Sequence, residues 1–459
     1  MCRLPFIRTW SCILILVATS ALTSFAAQPG TLSVGAARVD ITPPADAALP
    51  MQGYQPRNMQ GIHDHIYVRA IVLSDGTHEA AILAWELIGM PTPVWRELSQ
   101  HISKELGIPA DHLILAAEHV HSAPSVAWAY EKGSPETMTY TAKLQDAAFE
   151  AVRQAQANLQ PARFGFGSGK AYVNINRREF YPKADADVDA KAGGWSLGYN
   201  PDGPSDKTVS VLKFESLSGK PIAIFINYSV HAVVMGPLNL EISGDLPGAT
   251  SRFVEQYYEG KTETRGDAGW DLQPQAQEKV GGNGVVALWT SGPAGDQNPI
   301  VMDDAEDFSM VDPLGRILGE ETVRVANNIT TMSTQVKIWA LQQVITCPGQ
   351  TFAADISQGA EDKFKDSKPV DIRISLLMLN KIALAGVSGE VLTPIFQRLK
   401  KESPFNDTIM VTHANGLSGY IPNDDAYNQV SYEIRVTNLK RGCAEGGIVN
   451  GFLNMMKQY

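Results

Sequence analysis

An α/β fold with mixed β-sheets and flanking helices follows from three features of the sequence. Short apolar runs bounded by turn residues alternate with stretches of helical period. Several of these runs stop at turns that carry histidine, aspartate or glutamate, as in open α/β sheets, whose sites lie beyond the carboxyl ends of strands. At 459 residues, with 44% hydrophobic and 19% charged side chains, the chain has an ordinary globular composition and can bury a sizeable core. No short repeat, low-complexity tract or Ser/Gly/Pro linker divides it, so residues 28–459 read as one domain.

Residues 1–27 read as a signal peptide. Arg3 and Arg8 make a basic start, Ile13 to Ala18 an apolar centre, and Ser24-Phe25-Ala26-Ala27 a small-residue cleavage region. The mature protein is expected to be secreted or periplasmic, and no later run reaches the length of a transmembrane anchor. Cys2 and Cys12 leave with the leader. Cys347 and Cys443 remain, open to one disulfide or to two buried thiols. Losing Arg3 and Arg8 takes the formal charge from −11 to −13, and no basic cluster offsets it. Such a surface repels phosphate backbones, which excludes nucleic acid as a partner.

The mature chain opens with a strand from Val34 that stops at Thr42-Pro43-Pro44, because proline cannot donate to a sheet ladder. Strands from Ile66 to Leu73 and Glu79 to Leu87 flank the hairpin signal Ser74-Asp75-Gly76. A helix from about Pro93 to Leu106 leads to a buried strand near Leu113, and a long helix spans Thr137 to Leu159. The polar excursion Lys183 to Asp206 is too long for a routine connection and reads as a lid, a functional loop or a surface insertion. Strands at Val209–Phe214 and Pro221–Tyr228 follow, then a helix through Phe253 and Tyr257, a polar loop from Gly260 to Gly284, and a strand at Val285–Trp289. The last third adds a strand from Lys381 to Val387, a helix from Leu392 to Lys401 and a strand from Thr408 to Val411.

Chemistry gathers where these runs end. The strand at Leu113 exits into Glu118-His119-Val120-His121-Ser122-Ala123-Pro124; residues i and i+2 share a face, so His119 and His121 project together. His231 and Glu390 stand at the ends of two further apolar runs. Two or three histidines with one glutamate is the ligand type of a catalytic zinc that keeps an open position. Glu390 alone is also explained as a helix N-terminal carboxylate, and Asp296 and Asn298 as parts of a Gly/Pro turn.

The segments Arg38-Val39-Asp40-Ile41-Thr42-Pro43, Gly61-Ile62-His63, His119-Val120-His121-Ser122-Ala123-Pro124, Asn174-Ile175-Asn176-Arg177, Ser243-Gly244-Asp245, Gly295-Asp296 and Gly419-Tyr420 occur in one order. In that order they resemble the neutral/alkaline ceramidases, over about Val34 to Glu433. The resemblance implies a secreted or surface zinc amidase acting on the N-acyl bond of ceramide. It implies zinc ligation by His119, His231, Glu390 and Tyr420, a substrate-side His121, an active-site arginine at Arg177 with Arg178 as the substitute, and an active-site tyrosine at Tyr432 followed by Glu433.

One departure bears on mechanism. The family carries its nucleophilic serine in Gly-Asp-Val-Ser-Pro, whereas this chain reads Gly295-Asp296-Gln297-Asn298-Pro299. A carboxamide cannot be such a nucleophile. A chain ending at Tyr459 is also expected to lack the immunoglobulin-like C-terminal domain that accompanies the ceramidases. The expected function is cleavage of an amide or ester bond in a small-molecule or acylated substrate, lipid or glycan, by zinc-activated water. Zinc lowers the pKa of water from about 15.7 toward about 7. Asp296 or His121 would take the proton, and Asn298 and Tyr432 would donate to the oxyanion. Two alternatives stay open: a zinc enzyme handling a glycan or other small polar substrate, and a binding protein that retained only the zinc pocket.

Overall fold

A computed structural model describes residues 30–128, 132–185, 192–260, 284–302, 307–352 and 364–459. The expected signal peptide and nearly all of the Gly260–Gly284 loop lie outside the described residues. The chain begins with β1 (Ser33–Asp40), the short β2 (Pro50–Met51), β3 (Arg57–Asn58) and β4 (Gly61–Ile62), and the hairpin β5 (Tyr67–Ser74) and β6 (Glu79–Trp85). Next come α1 (Thr92–Leu106), β7 (Leu113–Ala117), α2 (Pro135–Ala157), β8 (Gln160–Lys170), β9 (Asn174–Tyr181), β10 (Gly194–Asn200), β11 (Thr208–Ser216) and β12 (Pro221–Tyr228). Then follow β13 (Glu241–Ile242), α3 (Asp245–Tyr258), β14 (Val286–Ser291), β15 (Gln297–Pro299) and α4 (Val311–Asn328). The remainder is β16 (Ile338–Phe352), β17 (Phe364–Leu379), β18 (Ile382–Val387), β19 (Glu390–Val391), α5 (Thr393–Glu402), β20 (Asp407–Val411), β21 (Tyr420–Ile421), α6 (Tyr432–Val436) and α7 (Ala444–Met456).

The α/β class read from the sequence is the class observed. Eight strands pair in the order β14-β12-β11-β8-β1-β5-β6-β7, parallel only at the two ends, where β12 meets β14 and β6 meets β7. A second sheet, β16-β17-β18-β20, carries one parallel pair, β18 with β20. Strand alternation sorts the core: Leu83 and Leu115 face α1 and α2, while Ile82 and Ile114 face the second sheet. Leu246, Leu314 and Leu318 bring α3 and α4 onto the β11–β14 half. The far face of the second sheet is covered by α5 and α7 through Ile395, Leu399, Ile448 and Phe452. Close approach of α2 to β1 requires Gly35, since a Cβ there would lie 2.0 Å from the Ala155 carbonyl oxygen.

The large sheet curls until its two edge strands approach each other. Thr412–Asn415, leaving β20, fills the gap: the Thr412 N–H donates to Ser291 of β14, and the Ala117 N–H of β7 donates to His413. Asn415 completes the seam, donating through its side chain to Leu113 O at 2.8 Å and accepting from Leu115 N at 2.9 Å.

Two features depart from the sequence reading. The Lys183–Asp206 excursion is in its described part a returning hairpin, in which β10 pairs with β9 and sets Trp195 opposite Phe180. The sequence pattern also left α4, the long β16–β17 pair and α7 unassigned, although each packs against a sheet. Among the described residues no helix is long and apolar enough to cross a membrane.

Cys347 and Cys443 are joined, fastening the start of α7 to β16 across 96 residues of sequence. Closing a loop of that length stabilises a fold by about 4.7 kcal/mol in the chain-entropy account. Replacing both cysteines with serine is therefore expected to lower the urea midpoint by a corresponding amount, and reductant is expected to shift wild type but not the double variant.

Candidate metal centre

The exits of β7, β12, β14, β18 and β20 converge on one buried point. His119 follows β7 with a left-handed backbone (φ 64°). Its Nδ1 donates to Ile88 O at 2.8 Å, and His231 Nδ1 donates to Ala294 O at 2.6 Å. These carbonyls fix both tautomers, so each Nε2 carries a lone pair. Both Nε2 atoms lie 3.4 Å from Glu390 Oε2, which is buried without a hydrogen-bond donor. His121 Nε2 is 3.3 Å from His119 Nε2, and the Tyr420 hydroxyl is 3.3 Å from His231 Nε2.

Lone pairs and a carboxylate facing one another in a buried site repel unless a cation lies among them. A tetrahedral ion with bonds of about 2.1 Å sets its donors about 3.4 Å apart, the spacing seen here. The residues therefore fit a metal, which His119, His231 and Glu390 could hold with Tyr420 at the fourth edge. Burial pushes the pKa of His231 down to about 4 and those of His121 and His413 well below the usual imidazole value. Burial alone would raise the Glu390 carboxyl, but the neighbouring histidines, His119 first, hold it well below the carboxylate range. An ionised carboxylate set against imidazole nitrogens in a buried site is a donor set suited to a cation.

Arg177 organises the other wall. Its Nε donates to Glu433 Oε1 at 2.8 Å, one terminal nitrogen to the Tyr420 hydroxyl at 2.9 Å, and the other to Asn298 Oδ1 at 3.3 Å. Arg178 serves the scaffold instead, donating to Ser431 Oγ and to the Ala426 and Gln429 carbonyls. Tyr432 opens α6 at the rim, 40% exposed, with its ring edge-on to Tyr420 at 5.8 Å. His121 packs against Gly53, whose φ of +101° and lack of a Cβ admit the ring; a Cβ there would lie 2.3 Å from His121 Nδ1.

Asp296 is not brought to the histidines in a hydrogen bond. One carboxylate oxygen accepts from the Thr393 N–H at 3.0 Å, the Thr393 hydroxyl at 2.7 Å and Gln297 Nε2 at 3.1 Å; the other accepts from Asn176 Nδ2 at 3.1 Å. Its carboxylate thus holds the β15 turn to the start of α5. Ser291 is sealed in, its hydroxyl donating to Glu118 O at 3.0 Å. One residue escaped the sequence reading: His413, at the exit of β20, stacks on His119 with ring centroids 4.1 Å apart. The signal for it was the one that marked His119 and His231, a histidine ending a buried run.

Known proteins were compared with this chain. Residues 32–310 match the family described as neutral/alkaline non-lysosomal ceramidase, N-terminal. Neutral ceramidase A of Dictyostelium discoideum is 26% identical over 244 residues, 51% of this chain and 33% of that protein. The neutral ceramidase of Pseudomonas aeruginosa is 28% identical over 228 residues, 47% of this chain and 32% of that protein. The match therefore spans about a third of the length of these relatives. Among solved structures, a ceramidase described as complexed with C2 superposes with a TM-score of 0.72 at 17% identity, over 93% of this chain and 75% of the other. The crystal structure of the P. aeruginosa neutral ceramidase gives 0.70 at 18% identity, over 94% and 74%. At such identities the superpositions establish the shared fold.

The depressed imidazoles make acid sensitivity a property of the metal-free protein. Unfolded His231 binds a proton below its ordinary value of 6.5, whereas the folded residue refuses it until about pH 4. In that window the unfolded state holds more protons, so stability is full above pH 6.5 and falls as pH drops toward 4, by about 3 kcal/mol from this group. Chelator-treated protein is expected to melt lower at pH 5 than at pH 7.5. A melting temperature level across that range would contradict the neutral-imidazole assignment.

Proposed function

The chain belongs to the neutral/alkaline non-lysosomal ceramidase family, and from that premise we propose that it is an exported zinc hydrolase cleaving an amide or ester acyl bond. The observation that carries this reading is the convergence of two histidine lone pairs and an ionised carboxylate at 3.4 Å in a buried site. His119, His231, Glu390 and Tyr420 would hold the zinc, which would supply Lewis acidity to the acyl carbonyl and to water. The basic-apolar-small order of residues 1–27 supports export, and residues 28–459 serve as one hydrolase domain.

The other residues take roles consistent with their geometry. A guanidinium only donates hydrogen bonds, so Arg177 fixes Oδ1 of Asn298 toward itself, and Nδ2, which in the structure meets only the weak acceptor Sδ of Met302 at 3.9 Å, is the donor offered to substrate. That amide and the Tyr432 hydroxyl stabilise the oxyanion of the acyl tetrahedral state. His121, neutral and with Nε2 directed at the centre, takes the proton of the attacking water. Of the two proton acceptors expected from the sequence, His121 is preferred, because the Asp296 oxygens are occupied by Thr393, Gln297 and Asn176. Water attacks directly, since Asn298 stands where the family's serine stands and the Ser291 hydroxyl is committed to Glu118 O. The substrate class is an acylated small molecule, a lipid amide or ester or an acylated glycan.

Zinc content and turnover on pools of acyl amides and acyl esters test the proposal. His119→Ala and His231→Ala are expected to lose both the metal and the activity; metal-free variants as active as wild type would sink it. Asn298→Ala is expected to keep its zinc and lower kcat by about 10²–10³-fold. An unchanged kcat would remove Asn298 from the oxyanion role.

A further inference from the structure

His413 has no part in the chemistry proposed above, yet its ring lies flat against that of His119. Its ring is inclined by 17° to that of His119 at a centroid distance of 4.1 Å. His121 and His231 meet the same ring steeply, at 84° and 78°, with centroids at 4.8 and 4.6 Å. His119 is thus enclosed by two imidazole edges and one imidazole face. The backbones of both stacked residues are left-handed, φ 64° at His119 and 53° at His413. Outside glycine that conformation persists only where the surroundings impose it, and at both positions it aims a ring at the centre. The seam holds His413 in place: its N–H donates to Gly389 O at 3.2 Å and its carbonyl accepts from the Ala117 N–H at 3.2 Å.

A donor atom of His413 lies within 4.8 Å of those of His119 and Glu390, close enough to suggest a further ligand. The stacking argues otherwise. An imidazole binds a metal in its ring plane, and two nearly parallel planes separated by a ring stack have no common point at bonding distance from both. His413 therefore acts on the ion through His119. With Nδ1 tied to the Ile88 carbonyl, the His119 ring can still rock about that hydrogen bond, and a flat π-face pressed on it removes the motion. The face also favours the polarised state, because a ring whose Nε2 binds a cation becomes electron-poor.

We propose that His413 is a positioning residue of the metal centre, whose stacked ring fixes the plane of His119 and thereby sets the affinity for the ion. The inference rests on the metal-centre reading above. Its test is zinc affinity, measured by competition with a chromophoric chelator on the purified full-length chain. The absorption spectrum of the cobalt(II)-substituted protein then reports the ligand geometry. His413→Leu and His413→Gln, which lack an aromatic face, are expected to bind zinc about 10–100-fold more weakly, the usual cost of losing a residue that supports a metal ligand, and to alter the cobalt bands. His413→Phe restores the face without a nitrogen and is expected to stay within about threefold of wild type. Near-UV dichroism of each metal-free variant checks folding, and the glutamine variant stands in should the leucine variant misfold. Leucine and glutamine variants binding as tightly as wild type would overturn the inference, as would a phenylalanine variant as weak as they are. Wild type that holds no zinc would overturn the metal reading itself.

Discussion

The centre depends on a four-residue seam. Curling an eight-stranded sheet until its edges approach leaves two rows of backbone groups that must be satisfied, and Thr412–Asn415 satisfies them. Thr412 bonds to Ser291 on one edge through both its N–H and its hydroxyl, and Asn415 bonds to Leu113 and Leu115 on the other. Asn415 is fully buried, and its side-chain amide also donates to Ser375 Oγ of the second sheet. Losing that side chain would strand buried backbone groups, each costing about 1–3 kcal/mol. The same seam fixes the exits of β7, β14 and β20 relative to one another. His119 and Glu390, far apart in sequence, therefore arrive 3.4 Å from each other.

Much of this was legible in the sequence because burial leaves a strong mark. Strands lying between layers, such as Leu113–Ala117 and Ile382–Val387, are unbroken apolar runs, and the residues that end them are functional candidates by position alone. The long strands β16 and β17 were hidden because exposed positions interrupt β16 and cover the outer half of β17, and because each contains a proline, Pro348 and Pro369, of the kind that breaks a strand pattern. Their pairing absorbs the first at an irregularity between Cys347 and Gly349, where a proline costs little. The β9–β10 hairpin was obscured by the Gly- and Pro-bearing polar composition around it. Spacing could not show the fate of Asp296, because a carboxylate aimed into a site and one held by Thr393, 97 residues away, look alike in one dimension.

The electrostatics of the site explain why a cation is called for although an arginine is close by. The Arg177 charge is matched by Glu433 at 2.8 Å, and its remaining donors are engaged by Tyr420 and Asn298. Nothing of it reaches Glu390 Oε2, which faces two imidazole lone pairs. Burying an ionised carboxylate without a donor is among the costlier arrangements a fold can contain. Here burial also pushes the imidazoles of His121, His231 and His413 toward their neutral forms. Such a cavity is held open against its own repulsion by the seam and by the two carbonyls that fix the histidine tautomers.

Asparagine at position 298 fits that electrostatic frame. Its carboxamide is uncharged, so the Arg177–Glu433 balance is undisturbed, and its oxygen gives the guanidinium an acceptor. What changes is reactivity, since a carboxamide cannot carry an acyl group through a covalent intermediate. The neighbouring hydroxyl of Ser291 cannot take over, because it is fully buried and donates to the Glu118 carbonyl. Under the proposed function the nucleophile must then come from solvent, and its proton must go to a neutral base beside the centre. His121 is the neutral base so placed, its Nε2 3.3 Å from Nε2 of His119. Under that proposal a covalent acyl transfer gives way to direct hydrolysis, and the Asn298 amide nitrogen, whose contact is the weak acceptor Sδ of Met302 at 3.9 Å, would serve the oxyanion.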